Sequence, residues 1–127
     1  MRLDANMDFE HCSFVYGGAS VSYDTSFDDL YVLSLPGFHW FRADDTRSDT
    51  QRASSACVVV GKRQMLTIGG VNYAKGEVKY WKDQDPWPQG LGIFDMTAMS
   101  WVRNGSYNAE AEEYQAPRMV QDWYRAQ

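Results

Sequence analysis

Phe14-Val15-Tyr16-Gly17-Gly18, followed by Leu30-Tyr31-Val32-Leu33 and Trp40, returns further along as Leu66-Thr67-Ile68-Gly69-Gly70, Leu91-Gly92-Ile93-Phe94 and Trp101. Each copy reads as a β-run ended by a Gly pair, then a second apolar run, then a Trp. Gly17 and Gly69 stand 52 residues apart and Trp40 and Trp101 stand 61 apart, because the second copy carries a longer insert between Gly70 and Gly90. A period of this length marks a supersecondary unit that is copied and stacked on its neighbour. The glycines permit positive φ where a strand ends. Trp40 and Trp101 are expected to bury large rings between the stacked units.

Outward from this repeat the chain reads as all-β. Aromatic residues make up 15% of it, and short β-branched runs alternate with Gly, Pro and Asp, the pattern of strands and turns. Strands are expected at 12–17, 29–35, 38–43, 54–60, 64–69, 91–96 and 99–103. The repeat divides them into two antiparallel units, the first about 1–43 and the second about 52–104, within a domain spanning 1–105. Ser34–Gly37, Gly61–Arg63 and Met96–Ala98 are short turns, whereas Gly18–Asp28, Arg42–Arg52 and Gly70–Gly90 are long polar connections. In an up-and-down sheet the long ones fall at the same end, so they are expected to form one loop face, where function tends to reside. The tail, 106–127, changes character. Asn108–Tyr114 holds helix formers, and Pro117 opens a second helical stretch with Met119, Val120, Trp123 and Tyr124 at helical spacing. That stripe is expected to dock on the last unit as a clasp.

The bulk numbers bound the partners. A net charge of −5 over 127 residues argues against nucleic acid, which needs a basic surface. No apolar run reaches the length of a membrane span, so no direct membrane insertion is expected of this chain. Met1–Asn6 lacks the apolar core of a signal peptide, which places the chain as written in the cytosol. Cys12 and Cys57 lack zinc-site spacing. Cys57, within Ala56-Cys57-Val58-Val59-Val60, reads as a buried free thiol, with a Cys12–Cys57 bridge as the alternative.

Across residues 12–103 the chain resembles the kelch-repeat family, and most of all the galactose-oxidase/kelch-type propellers of fungal surface proteins. The resemblance is carried by Phe14–Gly18, Asp28–Pro36, Arg63–Gly70, Trp87–Met96 and Trp101. It implies that each unit is a four-stranded β-propeller blade and that the chain is about two blades of a partial propeller, the C-terminal part of a larger one. Gly17, Gly18, Tyr31, Trp40, Gly69, Gly70 and Trp101 would be its structural motif. Arg52 matches the family's Arg before the first strand of a blade, and Ser54-Ser55 stand where fungal members tend to carry Gly-His. As the end of a longer family member, the chain would be secreted or at the cell surface. Two blades leave two outer faces bare, so either further blades or other copies of the chain are expected to cover them.

A copper-radical site of the galactose-oxidase kind needs converging imidazole and phenolate ligands, and the two histidines, His11 and His39, have no Tyr-His pair near them. Adjacent His11 and Cys12 point to opposite faces of a strand. No serine sits in a nucleophile elbow, and Gly61-Lys62 lacks the rest of a phosphate loop. Asp28-Asp29, Asp44-Asp45 and Asp83/Asp85 read as solvated loop acids in preference to a catalytic or calcium-binding pair. No catalytic residue, metal or cofactor is therefore expected. The richest lead is the Gly70–Gly90 insert, where Tyr73, Tyr80, Trp81 and Trp87 lie among Lys75, Lys79, Lys82, Asp83 and Asp85. Aromatic faces edged by polar groups suit a protein hot spot or a stacked sugar. Trp87, between Pro86 and Pro88, has the alternative of folding back over the blade edge. Asn104-Gly105-Ser106 is a glycosylation sequon. The expected function is non-catalytic recognition of a protein or glycan through the loop face; the alternatives are a fragment of a copper enzyme or a truncated product.

Overall fold

Strand alternation and Gly punctuation produce seven short strands in the computed structural model, which describes residues 11–44, 51–75, 84–102 and 106–127. They are β1 (Cys12–Tyr16), β2 (Leu30–Ser34), β3 (His39–Arg42), β4 (Ala56–Val60), β5 (Gln64–Ile68), β6 (Leu91–Asp95) and β7 (Ser100–Trp101). All pairs are antiparallel. They form a three-stranded sheet in the order β1-β2-β3 and a four-stranded sheet in the order β4-β5-β6-β7. The first unit thus has three strands, not four, among the described residues. One short α-helix, α1 (Arg118–Arg125), closes the chain.

Register decides which side chains meet, because directly paired residues share a face. In the first sheet Phe14, Val32 and Phe41 are paired across one face, and Ser13, Leu33 and Trp40 across the other. In the second, Val59, Met65, Phe94 and Trp101 share a face. Leu30, Val32, Met65, Phe94 and Trp101 are buried together, with Cys12, Phe14, Tyr16 and Phe41 packed against them. The two sheets therefore stack face to face. Aromatic rings carry the contact: Trp101 of the second sheet meets Tyr16 of the first edge-on at 5.0 Å between centroids, and within its own sheet it packs on Phe94 at 5.2 Å.

Stacking explains why the two repeat tryptophans differ. Trp101 is 4% exposed, lying beneath the first sheet, whereas Trp40 is 50% exposed on the outer face of that sheet. The expectation that both rings are buried fails for Trp40, since no described layer covers its face. Cys57 also departs from expectation. It is exposed and Cys12 is half-buried, and no disulfide joins them. β4 is an edge strand, and an apolar run at an edge is open even when its composition is that of a core strand.

The tail straps both sheets. Gln64, buried at the end of the second sheet, donates to the Asn108 carbonyl at 2.8 Å and accepts the Asn108 N–H at 3.0 Å. The Thr97 hydroxyl does the same for Gln115, at 2.8 and 3.0 Å. These side chains hold the 108–115 backbone outside a helix, so the helix expected over Asn108–Tyr114 is absent; tertiary partners override propensity. Helix α1 follows Pro117 as expected but docks on the first sheet, not the last. Tyr124 Oη accepts the Gly37 N–H and bonds the Ser34 hydroxyl, each at 2.9 Å, and Trp123 stacks on His39 at 4.6 Å.

Candidate functional site

The loop end is organised around Arg52, the residue ahead of the second sheet. Its backbone carbonyl accepts the Gly18 N–H at 2.8 Å and its N–H donates to Phe27 at 3.0 Å, so it is stitched to the first sheet. Gly17 sits beside it at φ +75°, where a Cβ would overlap the Arg52 carbonyl oxygen. The Arg52 side chain, buried with the residue at 4% exposure, runs into the second sheet. Its Nη1 donates to the Gly69 carbonyl at 3.1 Å, and both terminal nitrogens engage the Asp85 carboxylate as a fork. The guanidinium carbon lies 3.8 Å from the centre of the Trp87 ring, a stacked cation–π arrangement. Burial pushes the Asp85 carboxyl up, but the hydrogen bonds from Arg52 and the Trp87 N–H, with the charges of Arg52 and Lys75, outweigh it. The group rests below its ordinary 3.8.

Trp87 therefore belongs to the core and not to the loop surface. It is 6% exposed and lies between Tyr16, at 6.3 Å, and Trp101, at 5.0 Å. Room for it comes from Gly92 on β6, where a Cβ would stand 2.5 Å from the indole ring. The folded-back alternative is what the structure shows.

Around this hub the long connections meet. Ser26 Oγ donates to the Val71 carbonyl at 3.1 Å and accepts the Tyr73 N–H at 2.9 Å, joining the Gly18–Asp28 connection to the insert after Gly70. Tyr73 opens a single 3-10 turn, Tyr73–Lys75, and its ring meets Tyr23 edge-on at 5.6 Å. Tyr23 is 67% exposed, with Val21 fully exposed and Phe27 partly so. Its backbone stands at φ +57°, a left-handed conformation that an aromatic residue adopts only under constraint. The constraint is local: Tyr23 N–H bonds the Ser20 carbonyl at 3.0 Å, and the Ser20 hydroxyl donates to Asp24 at 2.7 Å. The hydrogen bonds from the Ser20 and Ser22 hydroxyls hold the Asp24 carboxyl below its ordinary value.

Of the residues expected in a binding surface, Tyr73 stands at the loop end, Trp87 is buried, and Tyr80 and Trp81 lie outside the described residues, as do Lys79, Lys82, Asp83 and Asn104-Gly105. Tyr23 was not anticipated. Its signal was the apolar Val21, Tyr23 and Phe27 within an otherwise polar connection. The motif glycines sit at the strand ends with positive φ: Gly17, Gly18, Gly69 and Gly70. Tyr31 lies on the outer face of the first sheet, edge-on to Trp40 at 6.5 Å. Two of the loop acids are engaged in ion pairs: Asp29 pairs with Arg42 at 2.5 Å, and Asp85 with Arg52, while Asp44 is exposed as expected and Asp45 and Asp83 lie outside the described residues.

Away from the loop end, a cavity of about 390 Å³ opens between β1, β4 and the tail, lined by Cys12, Phe14, Cys57, Val59, Met65 and Tyr114. The cavity wall desolvates the Cys57 sulfur and raises its thiol pKa, although the residue as a whole is exposed. Among the described residues no three His, Cys, Asp or Glu side chains converge, and no helix is long and apolar enough to cross a membrane. No known family model matches the chain, and no curated protein matches it.

Proposed function

We propose that the chain is a non-catalytic recognition unit of kelch type, two blades of a partial β-propeller, that binds a protein or a glycan through its loop end. The observation that carries this reading is Tyr23, an exposed aromatic residue held in a left-handed backbone conformation against Tyr73. Such constrained, exposed positions cost of order 1 kcal/mol or more and gather at binding sites. Two aromatic rings edged by Ser20, Asp24 and Lys75 offer stacking area and hydrogen-bonding groups together, as protein hot spots and sugar sites require. Arg52 and Asp85 serve as the rigid base beneath it.

A glycan array and a displayed-peptide library, each probed with the intact chain, test this. Binders should lose retention on Tyr23→Ala and on Tyr73→Ala and keep it on Tyr107→Ala, an exposed aromatic position beside the Gly61 turn. Binders insensitive to both loop substitutions, or stoichiometric copper in the purified protein, would overturn the reading.

A further inference from the structure

We propose that the edge of β4 captures an extended peptide segment of a partner protein, which adds to the second sheet as a further strand and lays its inward side chains over the cavity beside that edge. The site lies away from the loop end and stands independently of the reading given above.

The open edge follows from a mismatch in width. Three described strands of the first sheet lie over a four-stranded second sheet. Val59, Met65, Phe94 and Trp101 share the inner face of the second sheet, and burial falls away along that row. Trp101 and Met65 are 4% exposed and Phe94 is 0%, whereas Val59 is 62% exposed. Cys57, two residues back on the same face, is exposed as well. β4 therefore overhangs the layer above it. The cavity of about 390 Å³ occupies the step, lined there by Cys12 and Phe14 of β1, Met65, Met96 and Tyr114.

Pairing with β5 uses the backbone groups of alternate β4 residues, and those of the others point out along the edge. Among the described residues no strand pairs with that side. Exposed edges are ordinarily blunted by charges, Pro or a bulge. Ala56-Cys57-Val58-Val59-Val60 contains no charged residue and no Pro, and its register with β5 runs unbroken from Ala56 to Val60. Such an edge is a template for strand addition, in which main-chain hydrogen bonds give affinity and pockets for alternate side chains give specificity.

Cavity and charge define the occupant. A strand antiparallel to β4 places the side chains opposite Cys57 and Val59 on the inner face, at the cavity, whose apolar lining suits Leu, Ile, Phe or Met. The edge of a second copy would bring only its own Cys57 and Val59, side chains too short to fill the space. Lys62, exposed just beyond the end of β4, also lines the cavity. It stands at the N-terminal end of an antiparallel peptide and favours a carboxylate there. The captured segment thus reads acid-x-apolar-x-apolar.

Acetylated, amidated peptides reading Glu-Thr-X-Thr-X-Thr, with Leu, Ile, Phe or Met at both X positions, are titrated into the intact chain and followed by its amide chemical shifts. At least one should bind at micromolar concentration and shift the amides of β4 more than those of β7. N-methylation of one alternate set of peptide amides should abolish binding and of the other set should leave it, because only one set faces β4. Val59→Lys, at an exposed position, should abolish binding. Lys62→Glu should weaken it by up to about fivefold and reverse the preference toward a peptide in which Lys replaces Glu. The proposal is overturned if no peptide of the panel binds at millimolar concentration, if binding ignores which set is methylated, or if it survives both substitutions unchanged. A parent chain whose β4 amides are already protected in a dimer would assign the edge to a second copy and overturn it too.

Discussion

Replacing Gly17 and Gly69 separately with alanine isolates the contact between the sheets, because the two glycines are repeat equivalents with similar backbones. Gly17 stands at φ +75° and Gly69 at φ +64°. An L-residue in this left-handed region costs about 1–2 kcal/mol, and that charge falls on both variants alike. Their surroundings differ. Around Gly69 a Cβ meets nothing within 4 Å, whereas at Gly17 it overlaps the Arg52 carbonyl oxygen. That oxygen accepts the Gly18 N–H at 2.8 Å. To admit the methyl group, the Arg52 backbone must move away, loosening a hydrogen bond worth about 1 kcal/mol and disturbing the fork to Asp85. Gly69→Ala is therefore expected to destabilise by about 1–2 kcal/mol, and Gly17→Ala by about 3 kcal/mol or more. Urea unfolding followed by fluorescence and circular dichroism measures both, with unchanged m-values showing that stability alone has altered. Equal losses for the two variants would refute the reasoning, since they would mean that Arg52 does not lie against the first Gly pair.

Trp101→Ala should cost about 3–5 kcal/mol, while Trp40→Ala should cost about 1 kcal/mol or less; a soluble quencher should reach Trp40 and spare Trp87 and Trp101, and protection of Trp40 would contradict the exposure described. Gly92→Ala should destabilise by about 1–3 kcal/mol through overpacking on Trp87, and part of that loss should return when Trp87→Phe is added; strictly additive effects would show that the two do not touch. Because the Asp85 value is lowered in the folded state, its ion pair contributes fully above the ordinary value of 3.8 and fades as pH falls from there through the folded-state value. Asp85→Asn should accordingly lower stability at neutral pH and flatten the acid limb of the stability curve; a parent and variant whose curves stay parallel down to the acid transition would exclude that linkage.

The strands were legible because their signals are local. Alternation, Gly pairs and short Pro- and Gly-bearing turns place all seven within about two residues, as expected for period-2 patterning. What escaped the sequence depends on neighbours. Trp40 and Trp101 carry the same local signature, yet only Trp101 has a layer above it. The Ala56–Val60 run has the composition of a core strand but occupies an edge. Asn108–Tyr114 favours a helix until Gln64 and Thr97 offer its backbone other partners. Trp87 was ambiguous between a surface and a core residue, and the deciding mark was Gly92, a glycine inside an apolar strand of the kind that signals close approach. At the loop end, Tyr73 could be named from its aromatic-rich insert. Tyr23 could not, because its constraint comes from Ser20 and Asp24, and its partner is brought to it by Ser26 binding across to Val71 and Tyr73.

The loop end and the Arg52 hub both depend on the two repeat-related sheets stacking face to face. The most direct measurement is the nuclear Overhauser contact between the ring protons of Tyr16 and Trp101, whose centroids lie 5.0 Å apart across the sheets. The contact between Phe94 and Trp101, at 5.2 Å within the second sheet, serves as the internal reference. Stacked sheets give both signals at comparable strength. The Phe94–Trp101 signal without the Tyr16–Trp101 signal would mean that the sheets form but do not lie on one another.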